Sequence, residues 1–127
     1  MSCALAPAST VNAALGTAVG APQSDVNGSV TVCTYKSINP PQSVIVRIDT
    51  STNASAFVAS KSQFVTQGET TTPVPGLGDQ AFSSTLSAGS ITNSTIVVLK
   101  GSASLLITGS ASLAQVEALA TQLLPHL

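Results

Sequence analysis

Charged side chains are scarce in this sequence, at 7% of 127 residues, whereas globular domains carry roughly 25%. The few Lys and Arg residues form neither a basic stripe for nucleic acid nor a cluster for an anionic membrane. Aromatic residues amount to 3%, too few for a platform on which bases could stack. The longest apolar runs, residues 44–46 and 96–99, are too short to cross a membrane. We therefore expect neither nucleic-acid binding nor a membrane span.

Residues that commonly carry catalysis are also few. The single histidine, His126, is next to last in the sequence, where we expect a solvated end and not a general base. The sequence contains no Gly-x-Ser-x-Gly and no Cys-x-x-Cys motif. Two cysteines and one histidine are too few ligands for a structural zinc site. We expect a protein that is not an enzyme and that binds no cofactor or metal.

The carboxylates are spread along the chain, with no two near each other in sequence: Asp25, Asp49, Glu69, Asp79 and Glu117. A glycosidase would need two of them to face each other, and folding could bring together a pair such as Asp49 and Asp79. The alternative that we favour is that these carboxylates are solvated or cap turns.

Hydrophobic residues make up 43% of the chain, and their spacing predicts a single α+β domain over residues 1–127. The predicted order is α-β-β-α-β-β-β-α. Strands are predicted at 30–36, 44–49, 80–86, 92–100 and 103–108, and helices at 6–16, at 53–66 and from a capping box at Ser112 and Gln115 to Pro125. Residues 20–29 and 70–79 are predicted loops, and Asn39-Pro40-Pro41 is a predicted turn. Because hairpins dominate, we predict an antiparallel sheet of about five strands with helices packed mainly on one face.

The segment Gly76-Leu77-Gly78-Asp79 has some features of a phosphate-binding loop. A dinucleotide site also requires a preceding strand, a third glycine and a following helix. Here prolines precede the glycines and a predicted strand follows. We predict a turn that needs glycine torsions at Gly76 and Gly78, with the Asp79 carboxylate bonded to backbone amides in the turn.

Tyr35 and Arg47 lie on neighbouring predicted strands and could contact a ligand together. The alternative is that Tyr35, which shares strand parity with Cys33, covers the cysteine while Arg47 is solvated on the outer face. Val30 and Val32 would then lie opposite Cys33 and Tyr35.

Cys3 precedes the first predicted helix and Cys33 lies in the first predicted strand. The two residues could form a structural disulfide in an oxidising compartment. They could instead be two unrelated thiols, or Cys3 could be the lipidated first residue of a lipoprotein.

Several segments resemble a large group of actinobacterial secreted and lipoprotein domains of unknown function. The resemblance rests on Cys3-Ala4-Leu5, on residues 11–16 (VNAALG), on Cys33-Thr34-Tyr35 and on residues 74–82 (VPGLGDQAF), and it covers nearly the whole chain. It implies a disulfide between Cys3 and Cys33, export from the cytoplasm, and an α+β sheet similar to Mog1/PsbP-like folds. It brings no established activity and no catalytic residues.

We therefore expect a secreted or envelope-associated domain, and the start Met1-Ser2-Cys3 indicates that a signal or anchor segment has been removed. The function that we predict is a non-catalytic binding module whose partner is an unknown envelope protein or a small apolar ligand. A hydrolase that uses a tertiary carboxylate cluster and a structural spacer of the envelope are the alternatives. The oligomeric state does not follow from the sequence.

Overall fold

A computed structural model describes residues 3, 6–38, 41–68, 70–88 and 91–126. Its helices are α1 (Ala8–Leu15), α2 (Ala54–Thr66) and α3 (Leu113–Leu123), followed by a short 3-10 turn (Leu124–His126). Its strands are β1 (Gln23–Asn27), β2 (Val30–Ile38), β3 (Pro41–Asp49), β4 (Thr71–Pro73), β5 (Gln80–Ala88), β6 (Ile91–Lys100) and β7 (Ala103–Gly109).

Within the described residues, the strands form one antiparallel sheet in the order β1-β2-β3-β7-β6-β5-β4. The predicted α+β class is confirmed, but the prediction of about five strands and the predicted order α-β-β-α-β-β-β-α are wrong, because the sheet has seven strands. The additional strands, β1 and β4, are the two sheet edges and lie in segments predicted as loops. All five residues of β1 are exposed, so this strand has no apolar alternation to reveal it. Proline at the end of β4 is tolerated because an edge strand needs fewer ladder hydrogen bonds.

The main core lies on the face of the sheet that α1 and α3 cover, here called the inner face. Val11 and Leu15 of α1 and Val116 and Leu119 of α3 are buried there. Their partners from the sheet include Cys33, Tyr35, Val44, Val46, Ile48, Ile96, Val98, Leu105 and Ile107. Helix α3 begins with the predicted capping box, in which the Ser112 and Gln115 side chains each accept a backbone N–H of the other residue.

Helix α2 packs on the opposite face of the sheet, here called the outer face. Its contacts form a separate small cluster, made of Phe57, Phe64, Phe82, Val97, Leu99 and Leu106. The N-cap is Asn53, whose side chain accepts the Ala56 backbone N–H. Of the described helices, α1 and α3 therefore lie on the inner face, and α2 lies on the outer face.

The N-terminal segment is joined to β2 on the inner face. The Sγ atoms of Cys3 and Cys33 are 2.00 Å apart, at disulfide distance, and both residues are buried. The Tyr35 hydroxyl donates a hydrogen bond to the backbone carbonyl of Ala6. Cys33 and Tyr35 thus face the N-terminal segment, as predicted, while Val32 lies on the outer face in register with Arg47. The predicted turn at Asn39 and Pro40 lies outside the described residues.

Burial of Tyr35 predicts a measurable change in its titration. Desolvation raises the pKa of the phenol from 10.0 to about 12, because the charged phenolate is disfavoured in the core. Because Tyr35 is the single tyrosine of the sequence and there is no tryptophan, tyrosinate absorbance reports the titration of Tyr35 alone. We expect a midpoint near pH 12 in the folded protein and near pH 10 in urea.

The sign of the stability change follows from the same shift. Because folding raises this pKa, the stabilisation is complete below pH 10 and is lost as the pH rises through 12. A midpoint near 10 under native conditions would show that the phenol is solvated and would contradict the packing of the N-terminal segment.

Candidate functional site

A cleft of about 350 Å³ opens between α2 and the outer face of the sheet. We call it the Arg47 cleft. Its lining consists of Arg47, Asp49, Thr52, Ala56, Phe57, Ser60, Gln63, Phe64, Val97, Ser104 and Leu106. The volume is within the range of pockets that hold small ligands, about 300–1,000 Å³.

The cleft exists because α2 is held to the sheet by few side chains. Phe57 is the buried residue of this helix. The rings of Phe57 and Phe64 both meet Phe82 of β5 edge-on, with centroids 5.3 and 5.4 Å apart. Aromatic pairs prefer such edge-to-face geometry, because the partly positive edge of one ring meets the partly negative face of the other. Most of the remaining residues of α2 are exposed. The helix therefore packs against the sheet over a small area and leaves open space beside it.

The floor of the cleft is set by the register of the sheet. Arg47 pairs with Leu106, Leu106 with Val97, and Val97 with Phe82, so these side chains form one row across four strands. Since directly paired residues of antiparallel strands project to the same face, all four lie on the outer face. The row begins with a cation and continues as apolar surface.

Arg47 is the conspicuous charge of the cleft. It is exposed, and among the residues that the structure describes its side chain has no hydrogen-bond or ion-pair partner. Thr52 and Ala56 place the N-terminal turn of α2 in the same lining, and the helix dipole makes that end partly positive. A guanidinium offers a planar fork of N–H donors suited to carboxylate or phosphate oxygens.

Asp49 contributes a negative charge to the same cleft, but it already has partners. Its Oδ1 accepts the Ser51 backbone N–H at 2.9 Å and the Ser29 hydroxyl at 3.1 Å. This arrangement holds the turn that leads from β3 towards α2. The carboxylate is thus a turn cap, as we favoured from the sequence.

A second cleft, of about 390 Å³, lies on the other side of α2. We call it the Val74 cleft. It is lined by Phe57, Val58, Lys61, Pro73, Val74, Pro75, Gln80, Ala81 and Phe82. Phe57 and Phe82 border it, and Phe57 also lines the Arg47 cleft, so this one ring separates the two.

The segment Gly76-Leu77-Gly78-Asp79, for which we predicted a turn with glycine torsions, lies between β4 and β5. Gly76 and Gly78 have φ values of 79° and 59°, in the left-handed region. Asp79 does bond a backbone amide, but not in its own turn: its Oδ2 accepts the Gly101 N–H at 2.7 Å, in the turn between β6 and β7. The Asp79 N–H donates to the Leu99 carbonyl at 2.7 Å. Through these two hydrogen bonds, Asp79 connects its own turn to the end of β6 and to the turn between β6 and β7.

The other sequence candidates do not meet in one place. Asp25 lies on β1 and Glu117 on α3, which are on different parts of the fold. In the described part of the chain, no three His, Cys, Asp or Glu residues group as metal ligands would. Glu69 lies outside the described residues, and the His126 side chain is not described.

The hypothesis that Tyr35 and Arg47 contact one ligand is wrong. Tyr35 pairs with Val44 and Arg47 with Val32, which places the tyrosine on the inner face and the arginine on the outer face. Tyr35 is fully buried, whereas Arg47 is exposed, as the alternative predicted.

Comparison with protein-family models, curated proteins and solved structures found no match to this chain. None of the helices in the described residues is long and apolar enough to cross a membrane.

Proposed function

We propose that this chain is a non-catalytic, extracytoplasmic binding module of the cell envelope and that its ligand occupies the Arg47 cleft. The observation that carries the proposal is the Arg47 guanidinium, which has no partner among the described residues and lies at the edge of a cleft with an apolar floor. Because this guanidinium is exposed, an anionic ligand can bond its N–H donors without first breaking an ion pair within the described residues.

The lining specifies the chemistry of the ligand. An anionic group, carboxylate or phosphate, would bond the Arg47 guanidinium, and Ser60, Gln63 and Ser104 offer further polar groups. An apolar body would cover Val97, Leu106 and the aromatic rings. The proposed ligand is therefore a small amphipathic anion, which is more specific than the small apolar ligand expected from the sequence.

The extracytoplasmic location is supported by the cysteine pair. A buried pair at disulfide distance suits an oxidising compartment. The resemblance to actinobacterial secreted and lipoprotein domains agrees with the same location.

The charge of Arg47 can be tested with hexanoate as the probe. In ¹⁵N-labelled protein, we expect hexanoate to shift amide resonances around the Arg47 cleft. Because hydrogen bonds to charged groups contribute about 1.5–3 kcal/mol, Arg47→Gln should raise the Kd at least tenfold. The matched control is Lys36→Gln, an exposed cation on the same face that does not line the cleft.

Equal affinities of Arg47→Gln and the unmodified protein would reject the proposed site. Absence of any hexanoate-induced shift near α2 would also reject it and would favour the spacer role. A uniform loss in both variants would show that general charge, and not the cleft, attracts the anion.

A further inference from the structure

We infer that the ligand is an elongated, single-chain anionic amphiphile whose apolar chain runs beneath α2 from the Arg47 cleft into the Val74 cleft. This inference rests on the proposed function and specifies its ligand. The Arg47 cleft and the Val74 cleft are then the two ends of one binding site, and α2 crosses the sheet between them.

The first support is the continuity of the floor. The row of paired residues that starts at Arg47 passes Leu106, Val97 and Phe82 and ends at Pro73. Its first three members line the Arg47 cleft and the last two line the Val74 cleft. After Arg47, every side chain in the row is apolar. A chain laid along this row would meet no polar side chain of the floor.

The second support is the distance that the row covers. Arg47 and Phe82 are three strands apart, and neighbouring strands are about 4.8 Å apart, so the path is about 14 Å long. A compact anion that fills only the Arg47 cleft would stop at Val97 and leave the last strand spacing, to Phe82, unused. An extended hydrocarbon chain of this length would cover the whole path.

The third support is the attachment of α2. Phe57 is the ring between the two clefts, and it belongs to a cluster separate from the main core. A rotation of this side chain, or a small lift of α2, would join the clefts from the outer face, although Val74 and Ala81 of the Val74 cleft pack with the main core. Side-chain rotations and small helix shifts are ordinary motions of folded proteins.

The Val74 cleft, where the path ends, is suited to bind the apolar tail of the ligand. Val58, Pro73, Val74 and Pro75 present apolar surface. Lys61 also lines this cleft, and its alkyl stem can cover apolar surface while the ammonium reaches water. The anionic head is therefore assigned to Arg47, which has the polar lining and the N-terminus of α2 beside it.

The test compares hexanoate, octanoate, decanoate and dodecanoate, each below its micelle concentration. Burial of a methylene contributes up to about fourfold in affinity, and we expect at least a twofold gain per methylene through dodecanoate. A Kd that levels off at octanoate would overturn the inference. Dodecyltrimethylammonium, with the same tail and the opposite charge, should bind at least tenfold more weakly than dodecanoate, and equal binding would also overturn it.

Two exposed valines of α2 provide a matched pair of variants. Val58 is 55% exposed and lines the Val74 cleft, whereas Val65 is 57% exposed and lines neither cleft. Val58→Glu should weaken dodecanoate at least tenfold and leave hexanoate unchanged, because only the longer chain reaches the Val74 cleft. Val65→Glu should change neither. Equal effects of the two variants on dodecanoate would contradict the path beneath α2.

The failures of the two proposals can be told apart. If hexanoate binding depends on Arg47 but longer fatty acids bind with no higher affinity, only the proposed path beneath α2 is wrong. If hexanoate binding does not depend on Arg47, the proposed function itself is wrong.

Discussion

Gly78→Ala should destabilise the fold by about 2–5 kcal/mol, a large loss for a domain of this size. The backbone at Gly78 has a φ of +59°, which costs a residue with a Cβ roughly 1–2 kcal/mol. A Cβ at this position would also lie 2.6 Å from Val98 Cγ1 and 2.7 Å from the Leu99 carbonyl oxygen. Relief of such overlaps by shifting packed atoms costs roughly 1–3 kcal/mol. Urea unfolding followed by circular dichroism measures the total.

Gly76 provides the control, because it lies in the same loop and also has a positive φ, of +79°. A Cβ there would meet nothing within 4 Å. Gly76→Ala should therefore lose only the torsional part, about 1–2 kcal/mol. If the two variants were equally stable, the close approach of the loop to β6 would be wrong, together with the position of the Asp79 carboxylate.

Loss of the cysteine crosslink is expected to cost a similar amount. The pair closes a loop across a sequence separation of 30, and the chain-entropy model gives about 3–4 kcal/mol for that length. Cys3→Ala, Cys33→Ala and the double variant should lose nearly the same free energy of unfolding, since each one removes the same crosslink. Urea unfolding of the three variants, without reductant, measures this directly.

The oxidised protein should also resist thiol labelling before unfolding and show no free thiol after it. Two labelled cysteines per chain, or a double variant within about 1 kcal/mol of the unmodified protein, would show that the crosslink does not form. The assignment to an oxidising compartment would then lose its main support.

Much of the fold followed from local patterns in the sequence. The hairpin of β2 and β3 was predicted because apolar residues alternate along both strands, and that of β6 and β7 because Gly101-Ser102 fits a two-residue turn. The capping box of α3 was predicted because it requires only Ser112 and Gln115, three residues apart. The strand parity of Cys33 and Tyr35 likewise gave the face that they share.

The position of α2 did not follow from the sequence. Val58 and Val65 have the helical spacing of an apolar stripe with Phe57 and Phe64, yet both valines are more than half exposed. The two phenylalanines of α2 pack against the outer face, while α1 and α3 cover the inner face. Local periodicity reports which side of a helix is apolar, but not how much of it the fold covers.

The candidate site was even less accessible to prediction. The sequence offered Arg47 either as a ligand contact shared with Tyr35 or as a solvated residue of the outer face, and the second prediction is the one that the structure bears out. The cleft depends on contacts between β3, β7 and α2, which are far apart in the chain. Ser60, Gln63 and Ser104 gave no signal, because serine and glutamine are common throughout this sequence.

The most direct test of the central claim is to locate a bound ligand. Intermolecular nuclear Overhauser effects between ¹³C-labelled protein and unlabelled dodecanoate would define its position. We predict contacts from the ligand chain to Leu106 and Phe57 and to Val74, with the carbon next to the carboxylate nearest to Arg47. Contacts confined to other surfaces, or none to residues of either cleft, would contradict the account.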